Sequence, residues 1–420
     1  DEDSGPPTSA TEPDALAYIQ YTSGSTSAPR GVPIRHGQLM HNQQMIRSAF
    51  GVDEEATAVS WLPHFHDMGL VGMVQQPVYS GFFTVMMSPL EFIRRPARWL
   101  RAISKYGAHT SGAPNFAYDL CVERVTTADA AALDLSRWTR AFNGSEPVRA
   151  ETLERFAARF APCGFRATSF RPCYGLAEAT LFVAGGGEAR ALTLSAPPVG
   201  AGITTPRGAA SEVTRRVVNC GRAWGGGRVV IADPETFARS GAGEVGEVWV
   251  AGPHVAAGYW RRPGESLETF RAYLSDTGDG PFLRTGDLGF LDGGELYVTG
   301  RLKDLIILRG KNHYPHDIEA TVAASHTDLR PNCAAAFSVE VGGLEELVVL
   351  QEVKSATRAE RVSEMSAAIR QSLAEDHAVK AYAVVLLRPN TVPRTSSGKI
   401  RRSACRDKFV ADAFRTEALC

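Results

Sequence analysis

The chain of 420 residues is predicted to be an α/β protein: a large α/β region with a small β-rich subdomain, followed by a compact α+β C-terminal domain. Three observations support this. Apolar strand-like segments alternate with helical patterns in the first 180 residues, which favours a parallel sheet. Short β segments with closely spaced turn signals follow, and the last part, about 118 residues, is long enough to bury its own core.

The first region begins with a strand-like segment, ALAYIQY, that runs into a loop rich in Gly, Ser and Thr. Further strands are predicted at 57–63 and 82–87, and helices at 37–50, 97–106 and 150–160. The last helix is the clearest, because Leu153, Phe156 and Phe160 recur at three- and four-residue spacing and form one apolar face.

From residue 185 to 213 the sequence is weakly patterned, and we expect loops there. Short β segments follow at 227–233, 246–252, 281–290 and 294–300, as in a small barrel or meander. The final part reads as strand, helix (316–325), two strands, helix (358–374), strand and helix. The boundary is placed close to Leu302–Lys303, with an N-terminal region at 1–301 and a C-terminal domain at 302–420.

The composition is globular, with 44% hydrophobic and 22% charged residues. The net charge of −1 argues against a dedicated nucleic-acid binder, which usually has a basic excess. The most hydrophobic stretch, 68–90, is interrupted by Gln75, Gln76, Pro77 and glycines, so no membrane span is expected. Seven scattered cysteines without a C-x-x-C pair, and an opening without a signal-peptide pattern, favour a reducing cytoplasm.

The segment 21–31, YTSGSTSAPRG, can bind an anion. Its small residues allow close approach of the backbone, its hydroxyls and N–H groups can donate to phosphate oxygens, and its arginine adds charge. A plain Ser/Gly surface loop is the alternative. It is not a Walker A loop, because Gly398-Lys399 is followed by Ile400. The candidate phosphate-loop residues are Thr22, Ser23, Gly24, Ser25, Thr26 and Arg30.

This segment resembles the phosphate loop of the adenylate-forming (AMP-binding) enzymes, which include acyl-CoA synthetases, peptide-synthetase adenylation domains and luciferase. Further motifs match in the same order and span nearly the whole chain: WLPHFHDMG (61–69), NGSEP (143–147), YGLAE (174–178), RTGD (284–287), GRLKD (300–304) and PRTSSGK (393–399). The resemblance implies ATP as cosubstrate and a lid that rotates about a hinge at Lys303.

Adenylation brings a carboxylate to the α-phosphorus of ATP, so two anions must be held together by fixed cations and donors. The resemblance gives this role to Lys399, whose long ammonium arm can reach both partners. Glu178 is a hard oxygen ligand suited to Mg²⁺ shared with phosphates. His66 is placed between the acyl channel and the phosphates. Taken alone, Glu178 would more often be a surface glutamate, and Lys399 would be one solvated lysine in a basic segment.

The nucleoside contacts follow from the same resemblance. Asp287 and Arg301 look like the pair that binds the ribose hydroxyls. Tyr174, followed by Gly175, offers a flat ring for adenine to stack on. The other adenine wall corresponds to Asn143, Gly144 and Ser145. An ordinary turn aspartate, a surface arginine, a core tyrosine and a polar turn are the alternatives.

Two histidine pairs suggest metal sites, namely His64-x-His66-Asp67 and His313-x-x-His316. Neither contains the four ligands of a structural zinc site. The position of His64 on the surface is the simpler alternative. We therefore expect no transition-metal centre at either pair.

Longer strings, including WLPHFHDMGLVG, CYGLAEATLFVAGG and GRLKDLIILRGKNHYPHDIE, resemble the fatty acyl-AMP ligase branch. This implies a fatty acid substrate and transfer of the acyl group to the phosphopantetheine arm of an acyl carrier protein or polyketide synthase carrier domain. Residues 189–216 stand where that branch has its insertion. Ser27 and Arg30 replace the usual Gly and Lys, and the Arg fork differs in geometry from a Lys point charge.

Relatives in this superfamily have another α/β subdomain before the phosphate loop, whereas some 20 residues precede it here. The sequence is therefore expected to be a fragment or a short, front-truncated member. Two other functions stay open: a fatty acyl-CoA synthetase, and a catalytically silent module that binds a nucleotide or an acyl-adenylate.

Overall fold

The computed structural model describes residues 11–22, 29–195, 214–354, 359–395, 398–415 and 418–419. The first described elements are an antiparallel pair, β1 (Leu16–Tyr21) and β2 (Gly31–Arg35), which bracket the phosphate-loop segment. Helix α1 (His36–Phe50) follows and ends where Gly51 adopts a left-handed conformation, φ 58°. Of the candidate loop residues, 23–26 lie outside the described residues.

A five-stranded parallel sheet forms the large region, as predicted from the alternating pattern. Its strands are β3 (Thr57–Ser60), β4 (Phe83–Met86), β5 (Thr110–Gly112), β6 (Arg140–Asn143) and β7 (Phe170–Pro172), in the order β4-β3-β5-β6-β7. The connecting helices are α2 (Asp67–Gly69), which continues through a π-helical segment (Leu70–Gln75) into α3 (Gln76–Ser80), then α4 (Pro89–Arg94), α5 (Ala97–Tyr106), α6 (Asn115–Arg124), α7 (Thr127–Ala131) and α8 (Ala150–Phe160).

Aromatic side chains fill the space between this sheet and its helices. Trp99, Tyr118, Trp138 and Phe156 are fully buried and contact one another mostly edge to face. The two indole N–H groups are satisfied by Ser111, whose hydroxyl accepts from Trp99 at 2.8 Å and whose carbonyl accepts from Trp138 at 3.1 Å. This rigid core fixes the strand ends on which the candidate site is built.

The β-rich part starts with β8 (Tyr174–Gly175) and β9 (Phe182–Gly185). Next, β10 (Ala191–Ser195) pairs antiparallel with β11 (Thr214–Val218), so the expectation of loops throughout 185–213 is wrong for β10. The alternation A-L-T-L-S explains the strand, because Leu192 and Leu194 pack beside Phe290 and Tyr297. Residues 196–213 lie outside the described part of the chain.

A four-stranded antiparallel meander completes this part, as its turn signals predicted. Its strands are β13 (Arg228–Ala232), β14 (Gly246–Ala251), β15 (Leu283–Asp292) and β16 (Glu295–Arg301), while the short β12 (Arg222–Ala223) pairs with β9. Helix α9 (Pro263–Phe270) lies between β14 and β15 in the chain.

The C-terminal part has its own three-stranded sheet, in which β19 (Leu329–Val341), β20 (Leu344–Val353) and β21 (Ala381–Leu387) lie in this order. Buried side chains of its helices pack on the sheet, among them Ile318, Val322, Met365 and Ile369. These side chains form a hydrophobic core within the C-terminal part. The other elements are β17 (Ile306–Leu308), β18 (Lys311–His313), α10 (Pro315–Ala324), α11 (Ala359–His377) and α12 (Arg402–Val410).

Within the described ranges, no helix combines the length and apolar character needed to cross a membrane. The six cysteines that the structure describes are all free of disulfide bonds.

Strand β4 lies at the edge of the parallel sheet and presents apolar side chains to solvent. Phe83 is 59% exposed, and Met86, Leu90 and Ile93 on and after the strand are also exposed. An edge strand with unpaired backbone groups and apolar side chains is a template for association.

We predict that Phe83→Lys lowers self-association of this 420-residue chain, because a charge on an edge strand opposes pairing with a second chain. The measurement is sedimentation velocity over a concentration series. Val78→Lys is the control, since Val78 is 83% exposed but lies on α3 rather than on the sheet edge. Equal effects of both substitutions would contradict the prediction.

Candidate active site

A cavity of about 900 Å³ opens at the carboxyl ends of the parallel strands, between the sheet, the β-rich part and the C-terminal domain. Its lining includes residues that directly follow β3, β6 and β7, which is where ligands bind in open α/β sheets. Most of the sequence-predicted site residues line this one cavity: Thr22, Arg30, His66, Ser145, Tyr174, Gly175, Glu178, Asp287, Arg301, Lys303 and Lys399.

Asp287 and Arg301 face each other on β15 and β16, whose register pairs these two residues. The Arg301 Nε donates to Asp287 Oδ1 at 2.9 Å, and the Tyr174 hydroxyl donates to Oδ2 at 2.7 Å. Burial and the Asp287 charge raise the pKa of Tyr174 well above its usual value, so this tyrosine stays a donor. The carboxylate is thus fixed in orientation, and each oxygen keeps a lone-pair site for a ligand hydroxyl.

A buried glutamate that sequence reasoning missed supports the turn before Asp287. Glu247 on β14 is only 2% exposed. Its carboxylate accepts from Arg284 Nε at 2.9 Å, from the Trp249 indole at 3.0 Å and from the Gly286 backbone N–H at 3.1 Å. The one available signal was a glutamate inside the apolar strand sequence GEVWV.

Glu178 lies in a short 3-10 turn that follows β8. Its Oε1 accepts a hydrogen bond from the Tyr259 hydroxyl at 2.9 Å, and burial raises the pKa of the carboxyl. Arg30 stacks over the Tyr259 ring at 5.0 Å and forms an ion pair with Glu265 at 2.8 Å. The predicted loop cation and the predicted metal ligand are therefore joined by Tyr259, which the sequence reading did not identify.

Lys399 is held on a closed turn. The Thr395 hydroxyl accepts from the Lys399 backbone N–H at 3.1 Å, the Thr395 N–H donates to the Lys399 carbonyl at 2.8 Å, and Gly398 supplies the positive φ, 85°. Burial, followed by the charge of Arg301, lowers the pKa of the amine. Ser396 and Ser397 lie outside the described residues.

His66 stands at the start of α2, in the same cavity as Lys399. Burial lowers the pKa of its imidazole, Asp67 opposes that effect and Lys399 adds to it. The ring therefore favours its neutral form, which can both donate and accept a hydrogen bond. Gly69 is required nearby, because an added Cβ would lie 2.1 Å from the Pro63 carbonyl oxygen.

Asn143 and Gly144 do not line the cavity, although both were predicted adenine contacts. The Asn143 side chain is buried and donates to Asn115 Oδ1 at 3.1 Å, and Gly144 packs against Cys173. Ser145 does line the cavity, with a left-handed backbone at φ 78°. The first two residues lie behind the wall that the third helps to form.

Among the described residues, no group of three or more His, Cys, Asp or Glu side chains is arranged to hold a metal ion. His64 is exposed, in agreement with the simpler alternative for that residue. Neither histidine pair therefore gains support as a transition-metal site.

The cavity combines two kinds of lining. One part contains Glu178, Asp287, Arg301 and Lys399. Another part is apolar and comes from α1, the π-helical segment and their neighbours: Ile46, Phe50, Val52, Met73 and Phe82. Such a cavity can hold a charged, hydroxyl-bearing group next to a hydrocarbon chain.

Comparison with known proteins gives a consistent result. The family described as AMP-binding enzyme matches residues 1–260, and the AMP domain of Disco-interacting protein 2-like proteins matches residues 303–419. A medium-chain-fatty-acid–[acyl-carrier-protein] ligase, JamA of Moorena producens, is 49% identical over 94% of this chain and 68% of its own length. The long-chain-fatty-acid–AMP ligase FadD26 of Mycobacterium marinum is 40% identical over 95% of this chain and 70% of its own length.

Among solved structures, a fatty acyl-adenylate ligase from Legionella pneumophila in complex with acyl adenylate and pyrophosphate is similar, with a TM-score of 0.69 and 41% identity. The match covers 96% of this chain and 71% of that chain. The chain thus spans about two thirds of the length of the relatives it matches.

We predict that Glu247→Ala lowers the free energy of unfolding by about 2 kcal/mol or more, because Arg284, the Trp249 indole and the Gly286 N–H lose their buried acceptor. Urea unfolding measures this change. Glu244→Ala, which alters an exposed glutamate of the same β-rich part, is the control and should stay within about 0.5 kcal/mol of the unchanged protein. Similar losses in both variants would show that the network is unimportant.

Proposed function

Because the chain belongs to the AMP-binding enzyme family, and within it to the fatty acyl-AMP ligases, we propose that it activates a fatty acid with ATP. The products of this step are an acyl-adenylate and pyrophosphate. The acyl group is then passed to the phosphopantetheine arm of an acyl carrier protein or polyketide synthase carrier domain. The observation that carries the proposal is the single cavity in which the Asp287–Arg301 pair, Lys399 and an apolar lining meet.

In the first step, a carboxylate oxygen of the fatty acid attacks the α-phosphorus, and the bond from that phosphorus to the bridging oxygen breaks as pyrophosphate leaves. Lys399 stabilises the negative charge that accumulates between the two anions. Asp287 accepts from the ribose hydroxyls while Arg301 and Tyr174 hold it in place. Thr22 and Arg30 stand at the base of the phosphate loop, where the Thr22 N–H donates to the Arg30 carbonyl at 2.9 Å.

Mg²⁺ is the second expected cofactor, and Glu178 fits it. The Glu178 carboxylate lines the cavity, and its Oε1 accepts a hydrogen bond from the Tyr259 hydroxyl. Burial disfavours the charged form of this carboxylate, and a divalent cation would offset that desolvation penalty. When bound, the ion would supply positive charge to the phosphates. Glu178 is its proposed protein ligand.

Three further roles belong to the proposal. Neutral His66 orients the fatty acid carboxylate beside Lys399. Tyr174 and Ser145 flank the adenine, with Gly175 beside Tyr174 and with Asn143 and Gly144 as the support of that wall. Lys303, on the turn Leu302–Asp304 between the two regions, is the hinge. The free cysteines support a reducing, cytoplasmic setting.

In the second step, the thiol of the phosphopantetheine arm loses its proton, a C–S bond forms at the acyl carbon, and AMP leaves as the C–O bond breaks. We propose that the insertion at 189–216 favours a tethered carrier over free coenzyme A. The base of the insertion is attached to the large region, since Arg216 forms ion pairs with Glu151 and Glu154 of α8.

The test is pyrophosphate release with fatty acids of graded length, followed by transfer to a holo acyl carrier protein and, separately, to coenzyme A. We expect adenylate formation and a strong preference for the carrier. Efficient acyl-CoA formation would favour the synthetase alternative. Nucleotide binding without any pyrophosphate release would favour the silent module.

We predict that Lys399→Ala lowers kcat for fatty-acid-dependent pyrophosphate release by about 10² to 10³, because the lysine acts on charge that develops in the transition state. Affinity for AMP, measured by calorimetry, should change little. Lys408→Ala on α12 is the matched control, an exposed lysine of the same domain whose loss should leave kcat unchanged. Near-normal kcat in Lys399→Ala would remove this residue from the mechanism.

We also predict that Tyr259→Phe moves the acid limb of kcat/KM for ATP to higher pH. Burial already raises the pKa of Glu178, whereas the Tyr259 hydrogen bond lowers it. Removing that donor raises the pKa further, so the carboxylate is lost earlier as the pH falls. The pH profile of kcat/KM checks this, with Tyr273→Phe, an exposed tyrosine, as the control. An unchanged limb, or one moved to lower pH, would contradict the assignment.

A further inference from the structure

A polar contact joins the large region to the C-terminal domain at Asn332. This residue interrupts β19: the pairing with β20 shifts register between Leu329 and Ala334, and Asn332 has a left-handed φ of 55°. A bulge of this kind re-aims a side chain out of the ladder. The Asn332 amide is thereby turned from the C-terminal sheet toward the large region.

Both polar atoms of the Asn332 side-chain amide form hydrogen bonds with the large region. The Asn332 Nδ2 donates to Asp119 Oδ2 at 3.0 Å, and the Asn332 Oδ1 accepts from Arg149 Nη1 at 2.5 Å. Asp119 lies on α6, is only 2% exposed, and also accepts from Thr152 at 3.2 Å and from Arg155 at 2.5 Å. We call this contact of Asn332 with Asp119 and Arg149 the seam. It contains one neutral amide between a buried carboxylate and a guanidinium.

The backbone of Asn332 continues the contact to the catalytic turn. Its carbonyl accepts from Arg394 Nη2 at 2.6 Å, while Arg394 Nη1 donates to the Gly398 carbonyl at 2.7 Å. Gly398 directly precedes Lys399. One arginine thus connects the residue that docks on the large region with the turn that carries the proposed catalytic lysine.

On the other side, the same network reaches the adenine wall. Asn115 of α6 accepts through Oδ1 from the Asn143 side chain at 3.1 Å and from the Arg149 backbone N–H at 3.2 Å. Arg149 is the residue that donates to Asn332. A continuous hydrogen-bonded path therefore leads from the nucleotide wall to the Lys399 turn.

We propose that Asn332 is a positioning residue for adenylation: it fixes the C-terminal domain in the orientation that holds Lys399 in the cavity. The inference rests on the proposed function, in which Lys399 acts in the first step. A rotation of the domain about Lys303 would separate Asn332 from Asp119 and Arg149. The contact therefore belongs to the adenylating orientation and not to the one that receives the carrier arm.

Asn332→Asp tests the amide without changing its size. The substitution sets a second carboxylate against buried Asp119, and like charges at this distance repel strongly. We expect kcat for pyrophosphate release with dodecanoic acid to fall on the order of tenfold. The affinity for AMP should stay within about twofold, because the nucleotide site lies on the large region.

The exchanged pair Asp119→Asn/Asn332→Asp restores one donor and one acceptor across the seam, and leaves an acceptor for both Arg149 and Arg155. It should recover kcat to within about threefold of the unchanged protein. Thr152→Val is the matched control, since it removes a bond to the same Asp119 oxygen without crossing the seam, and it should keep kcat. Asn332→Gly, which keeps the left-handed backbone and removes the amide, should lose kcat as Asn332→Asp does.

The inference is overturned if Asn332→Asp or Asn332→Gly keeps full kcat, if AMP affinity falls by the same factor as kcat, or if the exchanged pair fails to recover. Thermal unfolding of each variant identifies any that do not fold. The kcat and AMP affinity of the folded variants then decide whether the inference holds. Failure of the proposed function is a separate result: the unchanged protein would then release no pyrophosphate with any fatty acid.

Discussion

The carboxylate of Asp287 is the point at which three strands of the β-rich part meet, namely β8, β15 and β16. Arg301 holds one oxygen just before the chain enters the C-terminal domain, and Tyr174 holds the other from the first strand after β7. Glu247 accepts a hydrogen bond from the Gly286 N–H and thereby holds the turn that precedes Asp287. Because these partners are separated by up to 127 residues in the sequence, the orientation of one side chain depends on the correct assembly of the β-rich part.

Burial shifts the pKa values of two charged groups in the cavity, Lys399 and Glu178. Desolvation lowers the pKa of Lys399 and raises that of Glu178, so each group is held in a setting that disfavours its own charge. Binding of a substrate that carries phosphates and a carboxylate would offset the desolvation penalty of the Lys399 ammonium, and binding of a cation would offset that of the Glu178 carboxylate. Shifted pKa values of this kind are common at functional sites.

Local patterns were enough to predict the parallel sheet, the meander and helices such as α5 and α8, because their periodicity is contained in one segment. The weak pattern at 185–213 hid β10, whose apolar residues gain partners only from the distant Phe290 and Tyr297. Contiguous motifs located the polar part of the cavity lining, including Glu178, Asp287, Arg301 and Lys399. Glu247, Tyr259 and Asn332 were missed because their roles arise from cross-strand pairing, from long-range contacts of a loop and from a bulge, respectively, which no short motif records.

Helix α8 is held on two flanks by contacts of different character. Arg216, at the base of the insertion, binds Glu151 and Glu154, which are 63% and 59% exposed, whereas Thr152 and Arg155 hold the buried Asp119. Dissolved ions screen exposed pairs and hardly reach buried ones. Rising ionic strength would therefore loosen the insertion from this helix while the contact to the C-terminal domain persists, so the two attachments respond separately to the salt content of the surroundings.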